Sequence, residues 1–331
     1  MGLPRVLLSR QVMAERAPAF RAATVGLAWE AVALEDIADD DTQTVDAAFI
    51  SRDITGLSTK TEPTHALRQC WRVLRRSPQL AWVHTHSAGA DRPIYGELRA
   101  RGAAVTTSSG ANAGVVAQNA MAGVLSLARR FPQLIAAQAE RRWAPLVAAG
   151  PLTRDLEGQT AVIVGWGPIA RRLQPHLTLL GMRVEVVRHS AEAAGPGLPT
   201  VGHAELHTVL PRADWLLLCC PLTDQTRGLV DADALALLPA GAHLVNVARG
   251  EVVVESALTA ALQSGHLAGA YLDVFEVEPL PAASPLWTLP GVIVTPHCAG
   301  QSDSHAAHVA AIFSDYLGRW LRGEALAQMA A

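Results

Sequence analysis

The sequence predicts an α/β protein built on parallel sheets, divided between two domains. Three observations carry this reading. Short apolar runs without strict polar alternation suit strands buried on both faces, and helix-length segments separate them over nearly the whole chain. At 331 residues the chain is also too long for one ordinary hydrophobic core. The expected strands are 5–9, 47–51, 80–84 and 103–107 in the first third. Later ones are 161–165, 183–187, 215–219, 243–247, 270–274 and 292–295, with helices expected at 116–130, 169–180, 231–238 and 256–264. A long helical stretch, 113–130, leads into an irregular one, 143–157, that contains Pro145, Gly150 and Pro151. A new strand then opens at Ala161 directly into a glycine-rich turn. The last segment, 302–322, reads as one amphipathic helix that returns to pack on the first domain.

Composition excludes several classes. A net charge of −3 argues against a nucleic-acid or anionic-membrane partner. Lys60 is the only lysine, so there is no GxxxxGK[ST] phosphate loop. A Schiff-base enzyme would have to use Lys60, in a polar stretch with no apolar flanks to depress its pKa. Cys70, Cys219, Cys220 and Cys298 form no CxxC pair and read as reduced thiols. No cluster has metal-ligand spacing. Residues 1–10 are interrupted by Pro4, Arg5 and Arg10, which does not suit a signal peptide, and no apolar run is long enough to span a membrane. A cytoplasmic location is expected.

The run Ala161-Val-Ile-Val-Gly165-Trp-Gly167-Pro168-Ile169-Ala170 is a strand, a tight turn and a helix start. Gly165 permits the turn, Gly167 lets the backbone approach a pyrophosphate, and Ala170 is small enough for helix–strand packing. Pro168 and Ile169 open the helix whose free N–H groups would receive the phosphates. NAD-specific proteins place a carboxylate about twenty residues further on, for the ribose 2′-hydroxyl. This chain has Arg188-His189-Ser190 instead. A carboxylate would repel a 2′-phosphate, whereas a guanidinium grips one, so NADP(H) is favoured and NAD(H) stays open.

Three residues follow strands of the same domain, where ligands of open α/β sheets bind: Arg249 in Asn246–Gly250, Glu278 ahead of Pro279, and His297 in Thr295–Gly300. In order and wording, these segments, the glycine turn and 221–228 resemble the D-isomer-specific 2-hydroxyacid dehydrogenase family. The loop 87–91 resembles that family's substrate loop. The resemblance covers most of the chain. It implies a Rossmann dinucleotide-binding domain, 113–300, inserted into a flavodoxin-like substrate domain made of 1–112 and 301–331. A homodimer through the cofactor domains and the 116–130 helix is implied too.

By motif position, Arg249 would bind the substrate carboxylate and polarise its carbonyl. His297 would donate a proton to the carbonyl oxygen, and Glu278, chosen over Glu276, would orient the ring and favour imidazolium. Asp273 would hold the nicotinamide carboxamide, and the amides of Ala88 and Gly89 would meet the carboxylate. Cys220, Pro221, Thr226, Val247, Ala248, His297 and Gly300 join the cofactor-lining set. Arg52, Leu57 and Arg92 are candidates for the substrate pocket. His84, His86, His189 and His243 are read as mainly structural, although His189 also lies in the ribose-side run, and His84 and His86 flank the substrate loop. Gln118 stands where relatives often carry a glutamate, which bears on the hinge or the dimer surface. The implied activity is NADP(H)-linked interconversion of a small 2-oxo acid and its D-2-hydroxy acid, of the glyoxylate/hydroxypyruvate reductase type. Oxidation of phosphite, a phosphoglycerate-type dehydrogenase and a dinucleotide-sensing corepressor or scaffold are the alternatives.

Overall fold

The computed structural model describes residues 2–38, 44–58, 62–148 and 152–326; Lys60, Gly150 and Pro151 lie outside them. The chain divides into two compact units, one formed by Met1–Asn112 with Ser302–Ala331 and the other by Ala113–Gln301.

Unit 1 holds β1 (Arg5–Leu8), β2 (Glu30–Ala33), β3 (Ala47–Ile50), β4 (Trp82–Thr85) and β5 (Ala104–Thr107). They form one parallel sheet in the order β2-β1-β3-β4-β5, the flavodoxin-like arrangement. The two-residue period of a strand sends Val6, Leu8, Phe49 and Trp82 into one apolar layer. It sends Leu7, Ala48, Ile50, Val83 and Val105 into the other. The helix His305–Leu321 closes the first layer. Its Phe313 stacks on Phe49 at 4.5 Å and on Trp82 at 5.3 Å, and meets Phe20 edge-on at 5.0 Å. Burying one such ring is worth about 2–3 kcal/mol. That stack is why the end of the chain belongs with its beginning.

Unit 2 holds β6 (Thr160–Val164), β7 (Arg183–Arg188), β8 (Thr200–Gly202), β9 (Trp215–Leu218), β10 (Ala242–Asn246), β11 (Leu267–Leu272) and β12 (Val292–Val294). The sheet is parallel, in the order β12-β11-β10-β9-β6-β7-β8. From β6 the chain steps outward to β7 and β8, then crosses back to start β9 on the other side of β6. That reversal opens a crevice beyond the carboxyl ends of β6 and β9, the binding place of a Rossmann sheet. Val162, Val164, Leu216 and Leu218 pack to one face. Ala161, Ile163, Trp215 and Leu217 pack to the other, with residues of the helices Ala113–Ala128 and Pro168–Leu179. Among the described residues no helix is long and apolar enough to cross a membrane.

The two strands that the sequence reading omitted, β2 and β8, are both edge strands. β2 opens on Glu30 and β8 is bounded by Thr200 and Gly202, so neither is a continuous apolar run. Expected strands otherwise fall on observed ones, with ends displaced by at most three residues.

One buried side chain makes the first unit sensitive to acid. His84, on β4, is fully buried, with Nδ1 2.8 Å from Thr106 Oγ1 and Nε2 2.9 Å from Ser108 Oγ. The single proton of the Ser108 hydroxyl goes to the Thr85 carbonyl, so Nε2 must donate and Nδ1 accept from Thr106. Thr106 Oγ1 in turn accepts from the Trp82 indole N–H at 2.8 Å. Every position around the neutral ring is taken. Burial, and next the nearby His86, push the His84 imidazole down to about 3. A folded-state pKa below the ordinary 6.5 means the unfolded chain binds the proton first. Stability is therefore expected to fall as pH drops from about 6.5 towards about 3, by at most about 1.4 kcal/mol per pH unit from this group. Urea midpoints measured from pH 7 to 4 on wild type and His84→Gln test it: the variant should show the shallower pH dependence, and parallel curves would remove His84 as the cause.

Candidate active site

The glycine turn is shaped by its neighbour strand. Gly165 has φ 97°, and its N–H donates to Val187 O at 2.7 Å. A Cβ there would lie 2.6 Å from the backbone N and Cα of Cys220, just past β9. Only a residue without a side chain lets β6 and β9 reach the crevice side by side. Gly167 is the N-cap of the helix Pro168–Leu179 and has no side-chain cap, and a Cβ on it would meet nothing within 4 Å. The uncapped helix start thus faces open space, and Ala170 is fully buried behind it. This cradle fits a pyrophosphate.

At the end of β7 the Arg188 guanidinium donates from Nη1 to Glu192 O at 3.3 Å, with Nη2 3.6 Å from Glu192 Oε2. His189 Nδ1 lies 2.7 Å from Gln225 Oε1, and its ring centroid is 6.3 Å from that of His203. Burial, then the neighbouring His189, hold the His203 imidazole below its usual range. Gln225 and His203 were not foreseen, and nothing local marks them. Each comes from a separate loop that only the sheet order brings to the end of β7. In the 221–228 loop the Thr226 hydroxyl donates to Pro221 O at 2.7 Å and accepts from Thr223 N at 2.8 Å. Its side chain shapes the loop that follows Cys220, and burial pushes the Cys220 thiol up to about 12.

Beyond β10, Asn246 braces the next turn. Its Nδ2 donates to Arg249 O at 3.0 Å and its Oδ1 accepts from Ala248 N at 3.0 Å. Arg249 is extended, with φ −143°, and its Nη1 donates to Ala248 O at 2.7 Å. A Cβ on Gly250 would lie 1.8 Å from the carbonyl carbon of Phe275, so the turn carrying Arg249 rests directly on the turn carrying Glu278.

Asp273, at the end of β11, ties that turn to the histidine loop. It is 2% exposed. Its Oδ1 accepts from Thr295 Oγ1 at 2.6 Å and Cys298 N at 2.9 Å, and its Oδ2 from Ala299 N at 3.0 Å. Its own carbonyl accepts from His297 N at 2.8 Å. Burial pushes this carboxyl up, opposed by the hydrogen bonds from Thr295, Ala299 and Cys298 and by the charge of His297. Its side chain is thereby engaged in holding the 295–299 loop. The same loop is fastened from the other side by Asn119 Nδ2, which donates to Ala299 O at 3.0 Å. Asn119 was passed over in favour of its neighbour Gln118, which is exposed.

His297 sits at φ 50°, a backbone region uncommon for a residue with a side chain. Its Nδ1 lies 2.8 Å from Glu278 Oε2, while Glu278 Oε1 accepts from Phe275 N at 3.2 Å. Glu276 turns away: its Oε1 accepts from Glu255 N, and its N–H donates to Glu255 Oε2. The Glu278 side chain is 18% exposed and that of His297 46%, so the acid is sheltered and the ring reaches solvent. Arg249, Asp273, Glu278 and His297 thus stand on three adjoining loops beyond β10, β11 and β12. Ala88 and Gly89 belong to unit 1, on the loop that follows β4. Among the described residues no group of His, Cys, Asp and Glu could hold a metal ion.

The family model for the D-isomer specific 2-hydroxyacid dehydrogenase NAD binding domain matches residues 121–299. An (S)-sulfolactate dehydrogenase of Chromohalobacter salexigens is 36% identical over 254 residues, covering 75% of this chain and 80% of that protein. A glyoxylate/hydroxypyruvate reductase B of Citrobacter koseri is 34% identical over 256 residues, covering 76% and 78%. Among solved structures, a D-isomer specific 2-hydroxyacid dehydrogenase from Xanthobacter autotrophicus Py2, in complex with NADPH and MES, superposes with a TM-score of 0.75 at 30% identity, covering 99% of this chain and 98% of that one. The chain belongs to the D-isomer specific 2-hydroxyacid dehydrogenase family, a family of NAD(P)-dependent oxidoreductases.

Proposed function

We propose that this protein reduces a small 2-oxo acid to its D-2-hydroxy acid with NADPH, in the manner of the glyoxylate/hydroxypyruvate reductases it resembles. The observation that carries the reading is the His297–Glu278 pair at 2.8 Å, held on a loop braced by Asp273 and beside the turn of Arg249. With Nδ1 donating to Glu278, Nε2 is the ring atom left to exchange a proton with substrate. Glu278 stabilises the imidazolium that this transfer requires and fixes the ring plane. Arg249, its guanidinium plane set by the Ala248 carbonyl, pairs with the substrate carboxylate and draws electron density from the adjacent carbonyl. When bound in the crevice, the nicotinamide supplies the hydride. Asp273 acts as a positioning residue for His297, a role added to the carboxamide contact expected from the sequence.

NADP(H) is supported by Arg188 and His189 at the end of β7, in the sequence position where NAD-specific proteins carry a carboxylate, and by the NADPH found in the relative from Xanthobacter. The Arg188–Glu192 pair is no obstacle, since Glu192 is 78% exposed and a pair of this kind contributes at most about 1 kcal/mol. We place the enzyme in the cytoplasm as a homodimer. An exposed apolar series in unit 2, with Phe131 at 47%, Ile135 at 61% and Trp143 at 94%, supports the pairing.

Three outcomes are expected. His297→Ala should lower kcat for glyoxylate or hydroxypyruvate by about 10²–10⁴ while NADPH still binds, as followed by fluorescence titration; lost NADPH binding would mean the residue serves the cofactor instead. Arg188→Leu should cut kcat/KM for NADPH by about 10–100-fold and change that for NADH little, and equal losses would remove the 2′-phosphate contact. Sedimentation velocity should give a dimer that Trp143→Glu weakens; a monomeric wild type would contradict the assembly.

A further inference from the structure

Past β7, in unit 2, one side chain is placed so that its state of protonation matters. His189 follows that strand directly, and Gln225 lies in the 221–228 loop past β9. β6 stands between those two strands. The hydrogen bond that joins His189 Nδ1 to Gln225 Oε1 at 2.7 Å therefore reaches across the end of β6, where the glycine turn stands.

A glutamine Oε1 only accepts, so Nδ1 is the donor and the neutral His189 ring carries its single proton there. Nε2 of the neutral ring is then a lone pair. It has no hydrogen-bond partner among the described residues, and the side chain is exposed. A phosphate monoester above pH about 7 is a dianion, with acceptor oxygens and no proton to give. A lone pair turned to such a group repels it, whereas the Nε2–H of an imidazolium donates to it with charge assistance. Held by Gln225, His189 has one way to grip a phosphate, and that way needs a second proton.

The surrounding charges permit it. Arg188, one residue back, is a permanent cation whose partner Glu192 is mostly exposed. The ring centroid of His203, on the turn His203–Glu205, lies 6.3 Å from that of His189. Burial, then the charge of His189, hold the His203 imidazole below its usual range, so near neutral pH it adds no second cation. Glu205 is engaged on its own turn, where Oε2 accepts from Gly202 N at 3.1 Å. Asp224 precedes Gln225 in the 221–228 loop, and Arg227 follows two residues after it. Among the described residues no carboxylate is hydrogen-bonded to the His189 ring, which leaves an arriving anion to favour the second proton.

We propose that Gln225 is a positioning residue for cofactor choice: it fixes His189 so that the ring binds the 2′-phosphate of NADPH only as imidazolium, which ties the preference for NADPH over NADH to pH. The inference rests on the proposed NADP(H) reading and adds to it a residue and a proton. Binding of NADPH takes up that proton, so its affinity falls as pH rises above the ordinary imidazole range of about 6.5. NADH lacks the phosphate and takes up none there. The ratio of the two affinities cancels titrations elsewhere in the crevice that act on both cofactors alike.

Fluorescence titration of NADPH and NADH at pH 7, 8 and 9, on wild type, His189→Asn and Gln225→Leu, tests this. In wild type the affinity ratio should fall by about tenfold from pH 7 to 9, within the limit of about tenfold per pH unit that one proton sets. His189→Asn should give a ratio level with pH. In Gln225→Leu the neutral ring is free to carry its proton on Nε2 and donate without protonation, so the ratio should fall by no more than about threefold. Both positions are exposed, so neither substitution threatens the fold. A ratio that favours NADPH and stays level in wild type, or that falls equally in Gln225→Leu, overturns the inference and leaves the NADP(H) reading standing. Wild type binding NADH as tightly as NADPH at every pH overturns both.

Discussion

The buried carboxylate of Asp273 is the contact on which the loops beyond β11 and β12 depend. A carboxylate at the end of β11, almost without solvent, is tolerable only because three donors converge on it. Those donors all come from the 295–299 segment, which otherwise has no regular structure to hold it. The aspartate's own carbonyl adds a fourth link, to the amide of His297. This explains how His297 can keep an unfavourable φ on a short loop and still meet Glu278 with good geometry. Strain at the histidine is balanced by the desolvated, well-satisfied carboxylate behind it.

The crevice beyond β6 and β9 follows from a topological constraint. Because the chain leaves β6 outward and returns on its other side, two loop ends, 165–167 and 219–221, flank one opening. They approach so closely that Gly165 has no space for a side chain, while Gly167 faces nothing at all. The pair encodes two different needs, contact with the neighbouring strand at one glycine and room for a ligand at the other.

Histidines separated by two positions at one strand end are satisfied to different degrees. His84 lies within β4 with both ring nitrogens engaged, and it stiffens the layer under Phe313. His86, just beyond the strand, is 6% exposed, and among the described residues only its Nε2 has a partner, Thr55 Oγ1 at 3.2 Å.

Much was legible in the sequence, for stated physical reasons. Central strands declare themselves because both faces are buried and the whole run must be apolar. The glycine turn declares itself because backbone contact leaves no freedom of residue type. Arg249, Glu278 and His297 stood out as candidates because each lies on a segment that follows a strand of the same unit. The edge strands β2 and β8 were not found, since Glu30 in one and Thr200 and Gly202 in the other break the apolar run. The pairing of Glu276 with Glu255, the bracing by Asp273 and Asn119, and the meeting of His86 and His305 were decided by tertiary structure alone. Each joins residues from distant segments whose side chains say nothing about their partners until sheet order and loop closure bring them together.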